Sequence, residues 1–223
     1  MGLRGPKPKG KVKIEWSPDF AYAIGLIVSD GNVSSDGRHI LFTSKDNELA
    51  IKFQSALRIS GHIGRKASGF KEAKKYFVVQ FSDVLFHGFL QSIGIMPNKS
   101  KIIGKIMVPK KYFFDFLRGS FDGDGSFYSY FDPRWKSSFM FYTIFASASV
   151  LHIDWLRSVI FQELGIIGHV SADGKKSTLQ LKYAKKDSLK ILKSMYYSDI
   201  VVCLSRKRRK IEKALAIEKN KST

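Results

Sequence analysis

The chain has 223 residues, 44% of them hydrophobic, which is enough for one domain or two small ones with a sizeable core. Thirty-eight Lys and Arg residues against 19 Asp and Glu give a formal net charge of +19, which predicts an anionic partner: nucleic acid, acidic membrane or acidic protein. The single cysteine, Cys203, excludes an internal disulfide and a cysteine-rich zinc site, and no apolar run is long enough to span a membrane.

The N-terminal segment is strongly basic. Residues 1–13 hold five Lys or Arg, three Gly and two Pro, and we interpret them as a flexible basic arm. Such an arm either grips phosphates or lies in a minor groove, or it is a tail without a partner. No apolar stretch follows it, so it is not a secretory signal, and the expected location is intracellular, in the cytoplasm or an organelle.

After the arm, the sequence predicts a helix, a hairpin, a helix, a second hairpin and a third helix. Ser17 is a good helix-capping residue and Pro18 suits the first helical position, so the first helix begins there. It ends at Asp30, which is followed by glycine. The predicted ranges are 18–30 for the first helix, and 32–34 and 38–44 for the strands of the first hairpin. The second helix is expected at 46–57, the second hairpin at 62–81 and the third helix at 83–93.

The second half of the chain repeats the same order. The predicted ranges are a helix from Pro109 to Asp124, strands at 126–131 and 138–147, a helix at 149–164, a hairpin at 167–183 that turns at Asp173-Gly174, and a helix at 187–197. A basic run at 206–210 then opens a terminal helix that reaches about Ile217.

One short motif occurs in both halves. Ala23–Gly31 reads AIGLIVSDG and Leu117–Gly125 reads LRGSFDGDG, and their shared glycine, aspartate and final glycine are each 94 residues apart. The chain is therefore interpreted as a duplicated α-β-β-α-β-β-α unit of α+β class, with two four-stranded antiparallel sheets. The expected segments are the arm at 1–13, a first repeat at 14–105, a second repeat at 106–203 and a basic C-terminal helix at 204–223.

The repeated glycine predicts that the two motif helices touch. Gly25 and Gly119 each cost their helix roughly 1 kcal/mol, and close packing of two helix backbones would offset that cost. Such packing brings Asp30 and Asp124 together at one end of the helix pair. An acid at a helix C-terminus is electrostatically unfavourable, so two acids at matched positions point to a function.

The two motifs resemble the LAGLIDADG motif of homing endonucleases, in the single-chain form with two repeats. The first copy has Val28 where the family often has another Asp, whereas the second copy carries both Asp122 and Asp124. The resemblance covers about residues 17 to 215. It implies that the two sheets form a DNA-binding saddle and that the motif helices pack at a pseudo-twofold axis.

The resemblance also implies a metal-dependent reaction at the two motif ends. Asp30 and Asp124 would each help to hold a divalent ion at one of two scissile phosphates, with the peptide carbonyls of Ser29 and Gly123 as further ligands. Mg²⁺ suits such a site because it needs only one or two carboxylates plus phosphate oxygens. Mn²⁺ is expected to substitute for it, and Ca²⁺ is expected to bind without supporting cleavage.

The function implied by the resemblance is site-specific cleavage of double-stranded DNA, as in intron homing. The protein would act as a monomer that works as a pseudo-dimer, and it would hydrolyse phosphodiesters at a long asymmetric site. The alternative is a cleavage-inactive DNA-binding regulator or an intron RNA maturase, which would add intron RNA as a partner. Metal-dependent cutting separates these alternatives.

Basic residues near the phosphates could stabilise the developing charge or orient water. The family places a lysine after the last helix of each repeat, and the best matches are Lys99 and Lys207, with Lys101 and Arg208 as close competitors. Asp122 has Val28 as its counterpart, so a symmetric mechanism does not need this carboxylate. It either supports the site from outside the metal ligands or faces solvent.

Base and phosphate contacts are expected from one face of each sheet, because the major groove admits a β-ribbon. Ser44 and Ser147 occupy positions where relatives carry a polar, sometimes water-positioning, side chain. The first-half candidates are Asn32, Ser34, Arg38, His39, Ser44, Lys45, Arg65 and Lys66. The candidates in the second half and beyond are Ser126, Tyr128, Tyr130, Arg134, Lys136, Lys175, Lys176, Arg206 and Arg208.

Overall fold

The computed structural model describes residues 10–67, 75–172 and 178–221. Within these ranges the helices are α1 (Pro18–Asp30), α2 (Asn47–Leu57), α3 (Val84–Ser92), α4 (Phe113–Gly123), α5 (Val150–Leu164), α6 (Lys185–Met195) and α7 (Ser205–Lys221). The strands are β1 (Gly31–Val33), β2 (His39–Ser44), β3 (Gly64–Lys66), β4 (Tyr76–Ser82), β5 (Ser126–Asp132), β6 (Trp135–Ser147), β7 (His169–Ala172) and β8 (Leu179–Ala184).

The strands form two separate four-stranded sheets with the same topology. The first has the order β1-β2-β4-β3 and the second β5-β6-β8-β7, and all neighbours are antiparallel. The predicted α+β fold with a duplicated unit is therefore confirmed. None of the helices in the described part of the chain is both long and apolar enough to cross a bilayer.

The first helix begins as its sequence predicts. Ser17 Oγ accepts a hydrogen bond from the backbone N–H of Phe20 at 3.1 Å, and Pro18 occupies the first turn. Every residue from Phe20 to Ile27 is buried, because α1 lies in the centre of the molecule and α4 covers one side of it. A helix that is apolar all round is typical of such a buried position.

Two elements start three or more residues away from their predicted positions. α4 begins at Phe113, because the preceding Lys110–Tyr112 form a separate 3-10 turn. β6 begins at Trp135, three residues earlier than predicted, because the carboxylate of Asp132 accepts a hydrogen bond from the Arg134 backbone N–H at 2.9 Å and closes a tight hairpin.

The N-terminal segment is packed from residue 11 onward. The carboxylate of Asp83 accepts hydrogen bonds from the backbone N–H groups of Lys11, at 2.6 Å, and Val12, at 2.9 Å, and the Val12 side chain is buried. These two residues belong to the folded unit, which differs from the prediction of a flexible arm through residue 13. Residues 1–9, the turn at 173–174 and the predicted DNA contacts Lys175 and Lys176 lie outside the described residues.

The C-terminal helix α7 connects the two halves. The backbone N–H of Ser205 donates to Glu48 in α2 at 3.1 Å, and Arg206 forms an ion pair with Asp46 at 2.8 Å, while the helix also packs on β5. It continues to Lys221, four residues beyond the predicted end. Contacts with both halves hold this basic helix in place.

Candidate active site

The C-terminal ends of α1 and α4 lie side by side because the two helix backbones touch. A Cβ atom at Gly25 would lie 2.1 Å from the carbonyl oxygen of Phe116, and one at Gly119 would lie 2.0 Å from the carbonyl oxygen of Tyr22. Only residues without a Cβ allow this approach. The two glycines therefore set the distance between the helices.

The close approach continues to the last residues of both helices. A Cβ atom at Gly123 would lie 1.9 Å from Ser29 Oγ and 2.9 Å from Asp30 Oδ2. The aspartate that ends α1 thus lies against the last residue of α4, one position before Asp124. The duplicated sequence therefore folds so that its two Asp-Gly ends meet across the helix pair.

Both motif carboxylates have raised pKa values. Burial, with a further contribution from the nearby Asp124 charge, raises the pKa of Asp30 to about 7, against the opposing effect of Lys207 and Lys99. Loss of surrounding water also raises the pKa of Asp124, the more exposed of the two, again against both lysines. Two carboxylates held together in this way gain from a cation between them.

The two lysines occupy equivalent places around this centre. Lys99 Nζ donates to the carbonyl oxygen of Gly31 at 2.5 Å, and Lys207 Nζ donates to that of Gly125 at 2.6 Å. Both side chains are buried, and this burial lowers the pKa of each to about 8. Their bonds to matching glycines relate them through the repeat, although the lysines are 108 residues apart and the glycines 94.

The two competitors for the lysine positions lie elsewhere. Lys101 is exposed at the end of the 3-10 turn that begins with Lys99. The guanidinium of Arg208 binds Asp199 and Glu212, each at 2.7 Å. Neither side chain shares the bond to a motif glycine that Lys99 and Lys207 make.

The donor set fits an ion that needs few protein ligands. The described residues contain no group of three or more His, Cys, Asp and Glu side chains able to hold a metal. Mg²⁺ requires only one or two carboxylates when phosphate oxygens and water complete its shell. Asp30 and Asp124, with raised pKa values, offer that number of carboxylates.

Asp122 is buried, so it does not face solvent, and it lies beside the centre, where it lines one cavity together with Asp30 and Asp124. One of its carboxylate oxygens accepts hydrogen bonds from Tyr22 Oη, at 2.8 Å, and from the backbone N–H of Leu204, at 2.6 Å. Burial raises the pKa of this carboxyl. The sequence did not identify these two donors, because both lie at least 82 residues away in the chain.

Two cavities flank the joined helix ends, one in each half. The first-half cavity, about 330 Å³, is lined by Asp30, Ser44 and Asp124 among others. The second-half cavity, about 230 Å³, is lined by Ser29, Ser147 and Asp124 among others. Each cavity therefore reaches the carboxylate centre from the side of one sheet.

Most predicted DNA-contact residues of the first half are exposed or half-exposed. Asn32 lies on the outer face of β1, between two buried neighbours. Ser44 differs, because it is buried and its Oγ accepts a hydrogen bond from the backbone N–H of Asp46 at 3.1 Å. The exposed or half-exposed candidates are Asn32, Ser34, Arg38, His39, Lys45, Arg65 and Lys66.

The outer face of the second sheet carries stacked tyrosines. Ring centroids lie 5.1 Å apart for Tyr128 and Tyr142 and 6.4 Å apart for Tyr130 and Tyr142, with nearly parallel planes. The sequence predicted Tyr128 and Tyr130 as DNA contacts and missed Tyr142, whose strand partner is Tyr128. Ser126 and Arg134 are exposed on the same hairpin, and Lys136 lies in β6.

Acidic residues pair with four of the predicted contact arginines. These surface pairs are Arg38 with Asp36, Arg134 with Asp132, Arg206 with Asp46, and Arg208 with Asp199. In each pair at least one side chain is more than half exposed, and ion pairs in contact with solvent typically contribute below about 1 kcal/mol of stability. Exchange of the carboxylate for a phosphate therefore costs little.

Solved structures of LAGLIDADG proteins have the same fold. The LAGLIDADG homing endonuclease I-LtrWI, bound to target DNA, matches with a TM-score of 0.60 and 11% identity over 92% of this chain and 91% of that one. The meganuclease I-SmaMI, bound to uncleavable DNA, gives 0.58 and 14% over 89% and 91%. The N-terminal LAGLIDADG domain of DUF199/WhiA gives 0.55 and 16% over 89% and 88%.

At these identities the likeness establishes the fold, and the chain has the two-repeat LAGLIDADG fold. No family model and no curated protein sequence matches the chain.

Proposed function

We propose that this protein is a site-specific endonuclease that hydrolyses both strands of double-stranded DNA with a divalent metal. The observation that carries the proposal is the meeting of two carboxylates and two buried lysines at the joined ends of α1 and α4. The similar structures of I-LtrWI and I-SmaMI contain DNA, and one I-SmaMI structure was obtained with calcium ions, which supports the same class of substrate and cofactor.

Each half contributes one acid and one lysine to the proposed reaction. Asp30 and Asp124 would each help to hold a divalent ion, together with the carbonyls of Ser29 and Gly123. A bound ion supplies charge neutralisation at the phosphate and an activated water. Such a small number of protein ligands suits Mg²⁺, and Mn²⁺ is expected to substitute for Mg²⁺ at this site.

The lysines would stabilise negative charge on the phosphates. With a pKa of about 8, Lys99 and Lys207 are mostly protonated at neutral pH. Their bonds to the carbonyls of Gly31 and Gly125 hold each ammonium in place before DNA arrives. A preoriented charge of this kind costs no reorganisation during the reaction.

The two sheets would bind a long and asymmetric DNA site. The net charge of +19 favours phosphate contacts, so binding should weaken steeply as salt rises. The outer faces differ, since β5 has Ser126 in the place of Asn32 and continues beyond the length of β1 with Tyr128 and Tyr130. Unlike halves read unlike half-sites, so the target need not be palindromic.

A cleavage selection tests the proposal directly. The purified protein is incubated with a pool of randomised duplex DNA in Mg²⁺ and separately in Ca²⁺, and the cut ends are sequenced. We expect double-strand cuts at one sequence in Mg²⁺, binding without cutting in Ca²⁺, and no cuts by the Asp30→Asn/Asp124→Asn variant.

The matched control is the Asp19→Asn/Asp154→Asn variant, which loses the same charge at two exposed sites. It should cut as the unaltered protein does. Selective binding of DNA without any cut would overturn the nuclease assignment. That outcome would favour a DNA-binding regulator or an intron RNA maturase, and a splicing assay with intron RNA would follow.

A further inference from the structure

The two cavities beside the carboxylate centre are equivalent positions of the repeat. Ser44 ends β2 and lines the first cavity, and Ser147, 103 residues later, ends β6 and lines the second. Each serine Oγ accepts a hydrogen bond from the backbone N–H two residues further on, at 3.1 Å. The two cavities therefore have the same backbone hydrogen bond at equivalent serines, and the positions around these serines can be compared pair by pair.

At the same 103-residue offset, one position of the cavity wall changes from an apolar to a polar side chain. Leu49 lines the first cavity and His152 lines the second. Both side chains are almost fully buried, at 1% and 2% exposure. This difference between the two repeats places the titratable ring of His152 next to the carboxylate centre on the side of the second cavity only.

The hydrogen bonding of His152 fixes which ring nitrogen carries the proton. Nδ1 lies 2.9 Å from the carbonyl oxygen of Gly104, which only accepts, so Nδ1 carries the hydrogen. Burial lowers the pKa of His152, and the ring is neutral near pH 7. Nε2 therefore holds a free lone pair.

This lone pair has no partner among the described residues. His152 Nε2 is buried without a hydrogen bond, and a buried polar atom left unsatisfied costs about 1–3 kcal/mol. The cavity beside the ring has a volume of about 230 Å³ and is also lined by the hydroxyl-bearing Ser29, Ser100 and Ser147. It has both the room and the polar partners that an ordered water needs.

A purely structural role for the ring accounts for only part of this arrangement. The ring lies 5.3 Å from the Trp155 ring, and Nδ1 binds Gly104, as expected of a histidine within a core. Neither contact uses Nε2. Leucine fills the equivalent position in the first repeat, so packing alone does not require a histidine.

We propose that His152 is a positioning residue that binds a water in the second-half cavity through Nε2, and that this water orients the attacking water for one DNA strand only. The inference rests on the proposed nuclease function. The affected strand is the one whose scissile phosphate lies on the side of Ser147. On the other side Leu49 offers no acceptor, so cutting there does not depend on a water held at this position.

The test measures the two strands separately. A duplex of the selected target, labelled differently on each strand, is cut under single-turnover conditions by the unaltered protein and by His152→Leu, which copies Leu49. We expect about tenfold slower cutting of one strand, a typical effect of lost outer hydrogen bonds at metal sites, with nicked duplex accumulating. The other strand should change less than about twofold, and DNA binding in Ca²⁺ should be unaltered.

Two further variants separate positioning from packing. His152→Gln retains an acceptor and should restore equal cutting, whereas Leu49→Met, a change of similar volume in the other cavity, should leave the strand ratio unaltered. Equal slowing of both strands by His152→Leu, or no slowing, overturns this inference and leaves the nuclease assignment standing. If neither variant at 152 folds, the histidine is structural and the inference is wrong. Failure of the unaltered protein to cut any DNA overturns the proposed function itself.

Discussion

The Gly25→Ala substitution tests whether backbone contact between α1 and α4 holds the centre together. The new Cβ atom would lie 2.1 Å from the carbonyl oxygen of Phe116 and 2.7 Å from the backbone nitrogen of Ser120. Real Cβ atoms keep at least about 3.0 Å from such atoms. Both neighbours are helix backbone, which cannot rotate away, so the helices must separate by about 1 Å.

The expected loss of stability follows from two opposing effects. Overpacking of a buried site costs typically 1–3 kcal/mol, and a clash with backbone lies at the upper end. Alanine regains about 1 kcal/mol through its higher helix propensity. The net destabilisation is therefore about 2 kcal/mol or more, and the separated helices would also part Asp30 from Asp124.

Urea unfolding followed by circular dichroism measures this loss, and Gly88→Ala provides the matched control. Gly88 lies inside α3, and a Cβ atom there would meet nothing within 4 Å. The same substitution should stabilise the protein there by up to about 1 kcal/mol. A midpoint for Gly25→Ala at or above that of the unaltered protein would refute the backbone contact.

Three further predictions concern buried charges. Asp122→Ala should destabilise by about 2–3 kcal/mol in urea unfolding, because two buried donors lose their acceptor; an unchanged midpoint would contradict the described network. Arg118 is fully buried and bound to Asp115 at 2.7 Å, so Arg118→Ala leaves an unpaired acid and should lower the free energy of unfolding by about 3–5 kcal/mol. The double variant Arg118→Ala with Asp115→Ala should lose less stability than the sum of the two single changes. In EDTA, Asp30→Asn should melt at a higher temperature than the unaltered protein at pH 8 and at a similar temperature near pH 4. The pKa of Asp30 in the folded state, about 7, exceeds its ordinary value of 3.8. The free energy of unfolding of the unaltered protein therefore falls as the pH rises between these two values, by at most about 4 kcal/mol. A difference that is constant with pH would contradict the raised pKa.

Local patterns were sufficient to predict the fold and the acid pair. The caps at Ser17 and Pro18, the alternating strands and the repeated Gly and Asp-Gly are all read within a few residues, and they agree with the element order and sheet topology of the structure. Because the same local signals occur twice, the duplication itself identified Gly25 and Gly119 as a matched pair.

Long-range contacts account for what the sequence did not predict. Asp122 is buried by Tyr22 and by the start of α7, 100 and 82 residues away, and no local pattern reports such contacts. Lys207 could not be paired with Lys99 by spacing, because loops of different length shift the offset from 94 to 108. Their common bonds to motif glycine carbonyls become visible only in three dimensions.

The position of Lys207 in α7 also affects the order in which the protein is completed during synthesis. The first half has its acid and its lysine once residue 99 has been added. In the second half, Lys207, which binds the carbonyl of Gly125, is added only 82 residues after that glycine. A nascent chain that lacks α7 already has both antiparallel sheets but lacks one charge of the centre. Under the proposed nuclease function, such a chain could bind nucleic acid before it could cut it.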